Sequence, residues 1–234
     1  MSTTEGGGNV ITDGLVLYLD AANTKSYVSG STTWNDISRG GNNGVLLNGP
    51  TFSSTNGGGI VFDGVDDLFY VPFVLDTSTN FTIETFSKCN TMTSNSANRQ
   101  TIWGFTTTTA FAYQVLDLEI WGDGLTSING DTTSFAASLT IAYSPVNANN
   151  INSYVVSKSG TTQSWYINGV FKGSVTQQYT ATSEYFKLAS RGPRGINYAQ
   201  GWNGNNYSVR IYNRELSETE VLQNYNATKS RFGL

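Results

Sequence analysis

The sequence predicts an all-β fold, a sandwich or a barrel, closed by one short helix near the C-terminus. Three observations carry that expectation. Only 13% of the residues are charged, about half the usual share, while roughly 80 of the 234 are Ser, Thr or Asn and 25 are Gly. A helical chain would be rich in Ala, Leu, Glu, Lys and Arg, whereas Thr, Val and the aromatics favour strands, and Gly and Asn the turns between them. Short apolar runs, split by Gly, Asn and Ser clusters, recur about a dozen times at the spacing of antiparallel strands. Helix start signals stand out in one segment alone.

Taken in order, residues 1–12 read as a flexible arm with three glycines and few apolar groups. The first strand is residues 14–20. Further runs cover 44–48, 59–63, 68–73, 81–89, 100–106, 110–121, 135–143, 153–158, 164–173, 185–190 and 207–212. Trp165-Tyr166-Ile167-Asn168-Gly169-Val170-Phe171 is the clearest hairpin, because Asn-Gly supplies the two positive φ angles of a type I′ turn. Ser217-Glu218-Thr219-Glu220 has capping-box spacing and predicts a helix over 217–228, with Val221, Leu222 and Tyr225 facing the sheet. No linker or repeat interrupts residues 13–234, which read as one domain.

Composition excludes several functions. The formal charge is −4 and no run of Lys and Arg occurs, so nucleic acid is not an expected partner. With no histidine, a His-dependent triad or His-ligated zinc is ruled out. Cys89 is the only cysteine and cannot form an internal disulfide. No stretch approaches the roughly 20 apolar residues of a membrane-spanning helix. Residues 1–8 lack the basic and apolar regions of a secretory signal, which predicts a chain made in a cytoplasm.

Several motifs then arrive in a familiar order. They are Thr33-Trp34-Asn35-Asp36-Ile37-Ser38, Ile60-Val61-Phe62-Asp63-Gly64-Val65-Asp66-Asp67 and Phe81-Thr82-Ile83-Glu84-Thr85-Phe86. Trp165-Tyr166-Ile167-Asn168-Gly169, Gly201-Trp202-Asn203-Gly204 and Val209-Arg210-Ile211-Tyr212-Asn213-Arg214-Glu215-Leu216-Ser217 follow. Over residues 13–230 this series resembles the laminin-G-like branch of the concanavalin A-like lectin/glucanase superfamily. The resemblance implies a jelly roll of two antiparallel sheets with a short C-terminal helix. It does not imply one function, since the superfamily includes lectins, glycosidases, adhesion modules and virion proteins.

The segment 111–123 is the most informative for chemistry. Strand alternation puts Leu116, Leu118 and Ile120 on a core face, and Tyr113, Asp117, Glu119 and Trp121 on the opposite, outward face. A rise of about 3.3 Å per residue sets the two carboxylates about 7 Å apart beside an aromatic ring, an arrangement that suits sugar hydroxyls. Related glucanases carry three carboxylates at alternate positions of one strand. Here Trp121 stands in the third place, so hydrolysis is not expected. The plain alternative is that Asp117 and Glu119 solvate an open sheet face or pair with Lys or Arg across a strand.

Asp63, Asp66 and Asp67 offer three carboxylates in one turn, with Asp20 as a further neighbour. The resemblance implies calcium near a sheet edge, and calcium takes six to eight oxygens; the alternative is that these residues are turn formers. Glu84 reads as a carboxylate hydrogen-bonded inside the sandwich. Trp103 and Trp121 read as surface candidates, Trp34, Trp165 and Trp202 as anchors. The basic turn Arg191-Gly192-Pro193-Arg194-Gly195 reads as a solvated loop or a protein contact.

Leu17-Tyr18-Leu19-Asp20-Ala21-Ala22-Asn23 and Ile211-Tyr212-Asn213-Arg214-Glu215-Leu216-Ser217 resemble the wording of such domains in bacteriophage virions. That resemblance implies a non-enzymatic virion accessory protein, a capsid decoration or tail-associated adhesin, held by other virion proteins and able to bind host-surface glycans. A free carbohydrate-binding lectin module is the alternative, with a glycoside hydrolase the less favoured one. Homo-oligomerisation is open.

Overall fold

The computed structural model describes residues 9–91, 99–106, 116–121, 126–130, 138–141, 150–176, 183, 185–189 and 201–234. The first strands are β1 (Leu15–Asp20), β2 (Thr33–Trp34), β3 (Gly44–Leu47), β4 (Thr51–Ser53), β5 (Gly59–Asp63) and β6 (Leu68–Pro72). The middle of the chain forms β7 (Phe81–Cys89), β8 (Arg99–Thr106), β9 (Leu116–Trp121), β10 (Thr126–Gly130) and β11 (Ser138–Ile141). Then come β12 (Ile151–Ser159), β13 (Thr162–Ile167), β14 (Val170–Thr176), β15 (Tyr185–Leu188), β16 (Asn203–Tyr212) and the helix α1 (Glu218–Lys229).

The strands make two antiparallel sheets that stack as a sandwich. One runs β14-β13-β12-β7-β16-β5-β4, with β1 pairing the C-terminal half of β16. The other runs β11-β10-β9-β8-β15-β6-β3-β2. Alternate side chains from both sheets fill the space between them, Ile83, Val156, Val209 and Ile211 from one and Phe69, Val71, Trp103, Phe105, Leu118 and Phe186 from the other. Strands β5 and β7 coincide with the predicted runs, whereas the short β2, β4 and β10 carry too little apolar pattern to announce themselves. Asn168 and Gly169 take φ of 54° and 75° and join β13 to β14, as the type I′ turn requires.

The helix begins as predicted. Ser217 accepts from the Glu220 amide, and the Glu220 carboxylate accepts from the Ser217 amide at 2.9 Å. Hydrogen bonding from Arg214 holds the Glu220 carboxyl down at about 2. The buried stripe differs from the expected one. Val221 is buried and Tyr225 stacks on Phe86 of β7, as expected, but Leu222 is exposed and Asn224 and Thr228 are turned inward. The reason lies beneath the helix, on the outer face of the first sheet. There Arg210 pairs with Glu84 at 2.9 Å, and both are almost fully buried. Asn224 donates to Glu84 Oε2 at 3.1 Å, and Arg210 donates to Thr228 Oγ1 at 3.0 Å. A buried charge needs polar partners, so this helix buries a polar stripe. Glu84 is thus buried and bonded as expected, but between sheet and helix rather than between the two sheets.

Residues 9–12, expected to form the end of the arm, are fastened to the domain. Gln223 donates to the Asn9 carbonyl at 2.8 Å, the Ile11 amide donates to Asn224 Oδ1 at 2.8 Å, and Tyr212 donates to the Ile11 carbonyl at 3.1 Å. The Ile11 side chain also packs on the cluster of Val155, Tyr166, Tyr212, Leu216 and Val221. Residues 9–12 therefore belong to the domain, and residues 1–8 lie outside the described residues.

Candidate functional site

Strand β9 carries the expected carboxylates on one face, as alternation requires. Leu116, Leu118 and Ile120 enter the core, and Asp117 and Glu119 sit on the opposite side. That side is not open, however. Asp117 and Glu119 are each 0% exposed. Register explains their company. Glu119 lies across from Thr101, and Asp117 lies across from Gly104, whose other neighbour is Lys187. Thr101, Thr106 and Lys187 are also fully buried, so this face of β8, β9 and β15 is a closed polar layer. Carboxylates taken from water need compensating partners, and each is engaged here by an interaction with another residue. Tyr113 lies outside the described residues, as does the Trp121 side chain, and the 191–195 turn lies outside them too.

Trp103, read from sequence as a surface aromatic, is fully buried in the core against Phe105. A β-bulge between Thr101 and Trp103 shifts the alternation of β8 and turns the indole inward. Trp34, Trp165 and Trp202 are buried, as anchors should be. Burial pushes the Cys89 thiol up to about 11, which leaves it inert at neutral pH.

Among the described residues, the accessible aromatics of the second sheet's outer face are Tyr70 and Tyr185. Both are half-buried, with centroids 6.3 Å apart at 71°. Sequence reasoning missed them, although the alternation Phe69-Tyr70-Val71 against Tyr185-Phe186 carried the signal: their neighbours are core residues.

Burial pushes Lys187 down to about 8 from its ordinary 10.5. Between those values the unfolded chain holds a proton that the folded chain has lost. Charging Lys187 therefore opposes folding in full below about 8, and that penalty is relieved as pH rises from about 8 to about 10.5. Relative to Lys187→Met, the wild type should gain on the order of 3 kcal/mol across this window. Urea titrations of both proteins at several pH values check it. A constant difference between them would mean that Lys187 titrates normally.

The structure brings Asp63, Asp66 and Asp67 together, each with a carboxylate oxygen within 4.8 Å of the others. Asp63 Oδ1 accepts from the Val65 and Asp66 amides at 2.7 and 3.4 Å, and Asp67 Oδ2 accepts from the Asp63 amide at 3.0 Å. These bonds build the turn and leave the remaining carboxylate oxygens for other use. Burial raises the Asp67 pKa, and the charges of Asp63 and Asp66 add to the rise. A cation there would relieve that repulsion, and an all-oxygen donor set fits a hard ion such as calcium. Asp20 does not join them. It is held by Arg231 at 2.6 Å, which ties the C-terminus to β1.

Comparison with known proteins agrees with this architecture. Residues 63–222 match the Laminin_G_3 family of the concanavalin A-like lectin/glucanases superfamily. No curated protein sequence matches the chain. Among solved structures, it is similar to a Trypanosoma rangeli sialidase in complex with sialic acid, with a TM-score of 0.73 at 14% identity. That likeness covers 96% of this chain and 34% of the sialidase. It is also similar to the botulinum neurotoxin serotype D binding domain (TM-score 0.71, 16% identity, 93% of this chain and 52% of that one). The binding domain of Paraclostridial Mosquitocidal Protein 1 gives 0.70 at 14% identity, over 92% of this chain and 52% of that one. The chain thus spans about a third to a half of these proteins, and at such identity the likeness is one of fold. By its matched residues and its two-sheet sandwich, the chain belongs to the Laminin_G_3 family of concanavalin A-like proteins.

Proposed function

We propose that this domain is a non-enzymatic recognition module that binds carbohydrate while attached to a larger assembly, a virion in the reading favoured by its phage-like motifs. One observation carries the proposal. The second sheet's outer face buries its carboxylates completely and offers solvent a half-exposed tyrosine pair instead, Tyr70 and Tyr185. Aromatic rings give contact area to a sugar without performing chemistry on it. Carboxylates shut from solvent are poorly placed to protonate a glycosidic oxygen or activate a water. The fold's occurrence in two toxin binding domains and in a sialidase holding sialic acid supports recognition as its use here. Attachment is assigned to the Gly-rich residues 1–8 of the expected arm.

A glycan microarray tests the recognition. Tyr185→Ala should lose the signal that wild type gives, with no reducing sugar released from the bound glycan. Release of sugar, abolished by Glu119→Gln, would overturn the non-enzymatic reading. Mass spectrometry of purified particles tests the virion assignment, and deletion of residues 2–8 should abolish co-sedimentation with them.

Calcium is the ion proposed for Asp63, Asp66 and Asp67. A ligand that binds only the folded state stabilises by mass action, about 2.7 kcal/mol at a hundredfold excess over Kd. Millimolar calcium should raise the melting midpoint over that in chelator, and Asp67→Asn should remove the difference. Equal midpoints would leave the three residues as turn formers.

A further inference from the structure

A cleft of about 530 Å³ opens at one end of the sandwich, where the chain after β6 crosses towards the ends of β1 and β16. It is distinct from the acidic turn, which precedes β6 while the cleft segment follows it. Alternation in this segment buries Phe73 and Leu75 and turns Val74 outward, where it is 69% exposed. Val16 and Pro72 extend the aliphatic wall. Pro72 lies across from Tyr185 in register, so the cleft adjoins the tyrosine pair.

The polar wall is oriented in advance. Asn42 Nδ2 donates to the Val16 carbonyl at 2.9 Å, and Asn80 Oδ1 accepts from the Gly160 amide at 2.9 Å. Asp76 Oδ1 accepts from the Ser78 amide and hydroxyl at 2.8 and 2.6 Å. These bonds leave the Asn42 amide oxygen, the Asn80 NH2 group and Asp76 Oδ2 for a ligand: two acceptors and one donor. The Ser78 bonds also hold the Asp76 carboxyl below its ordinary range, so it is an anion at neutral pH. Among the described residues no Lys or Arg lines the cleft; the nearest cation, Lys158, donates to the Ser78 and Thr79 carbonyls at 3.4 and 3.0 Å and already offsets Asp76. An anionic ligand would meet Asp76 with no cation in the lining to pair with it.

We propose that this cleft binds the terminal residue of a neutral glycan, with a C–H face of the sugar on Val74 and Pro72 and its hydroxyls on Asn42, Asp76 and Asn80. A sugar hydroxyl both donates and accepts, which matches a mixed set of fixed partners. The volume lies within the range of small-ligand pockets, and polar groups fixed beforehand lower the entropy lost on binding. The inference rests on the carbohydrate-recognition reading and adds a subsite to it.

The test is an NMR titration with the methyl glycosides of glucose, galactose, mannose and N-acetylglucosamine, beside sialic acid. At least one neutral glycoside should saturably shift the Asn80 side-chain amide and the Val16 and Val74 methyls, while sialic acid shifts none. Val74→Trp, or Val74→Asp as a second variant, should weaken that binding by about tenfold or more, roughly 1.4 kcal/mol. Variants that titrate like wild type, or no shift in the cleft with any neutral glycoside, would overturn the proposal. The glycan microarray keeps the two failures apart. A positive array with a silent cleft removes only the cleft, and silence in both removes the recognition reading as well.

Discussion

Arg210→Met should lower the unfolding free energy by about 3–5 kcal/mol, because it leaves the Glu84 carboxylate charged, buried and without its cation. Glu84 and Arg210 are 1% and 2% exposed, so water cannot replace the lost partner. Asn224 would still donate to Glu84 and Tyr212, but Thr228 would lose its donor. Urea unfolding should therefore show a lower midpoint at an unchanged slope. The double substitution Glu84→Met with Arg210→Met should recover most of the loss, since replacing both charges by apolar groups is often neutral or better. Equal losses in the single and double variants would show that the polar network under α1, and not the unpaired charge, sets the cost.

Trp103→Ala should cost about 3–5 kcal/mol, the price of emptying a large aromatic site in a packed core. Trp103 is fully buried, in edge contact with Phe105 at 6.0 Å, within the cluster that joins both sheets. Thermal and urea unfolding measure the loss. Glycan binding by the fraction that remains folded should match wild type. A variant of normal stability that bound glycan weakly would restore Trp103 to the surface.

Local patterns were sufficient for much of this domain. Residues 59–63 and 81–89 could be placed as strands because period-two burial is written in adjacent residues. The Asn168-Gly169 turn and the Ser217–Glu220 capping box depend on residues within a few positions of each other, and both occur as expected. The sandwich class and the clustering of Asp63, Asp66 and Asp67 were legible for the same reason.

The tertiary structure alone decided what each outer face meets. Alternation separates Asp117 and Glu119 from the leucines of β9, but it is blind to whether the far side faces water or protein, and here it is closed. The partner of Glu84 lies 126 residues away in sequence, and the helix stripe that covers the pair is polar because of that partner. The bulge that turns Trp103 inward arises from pairing between two strands, which no single run of residues encodes. Asn9 and Ile11 joined the domain for the same physical reason: their hydrogen bonds reach residues more than 200 positions away. Local sequence determines which face a side chain takes; chain segments brought together by burial determine what that face touches.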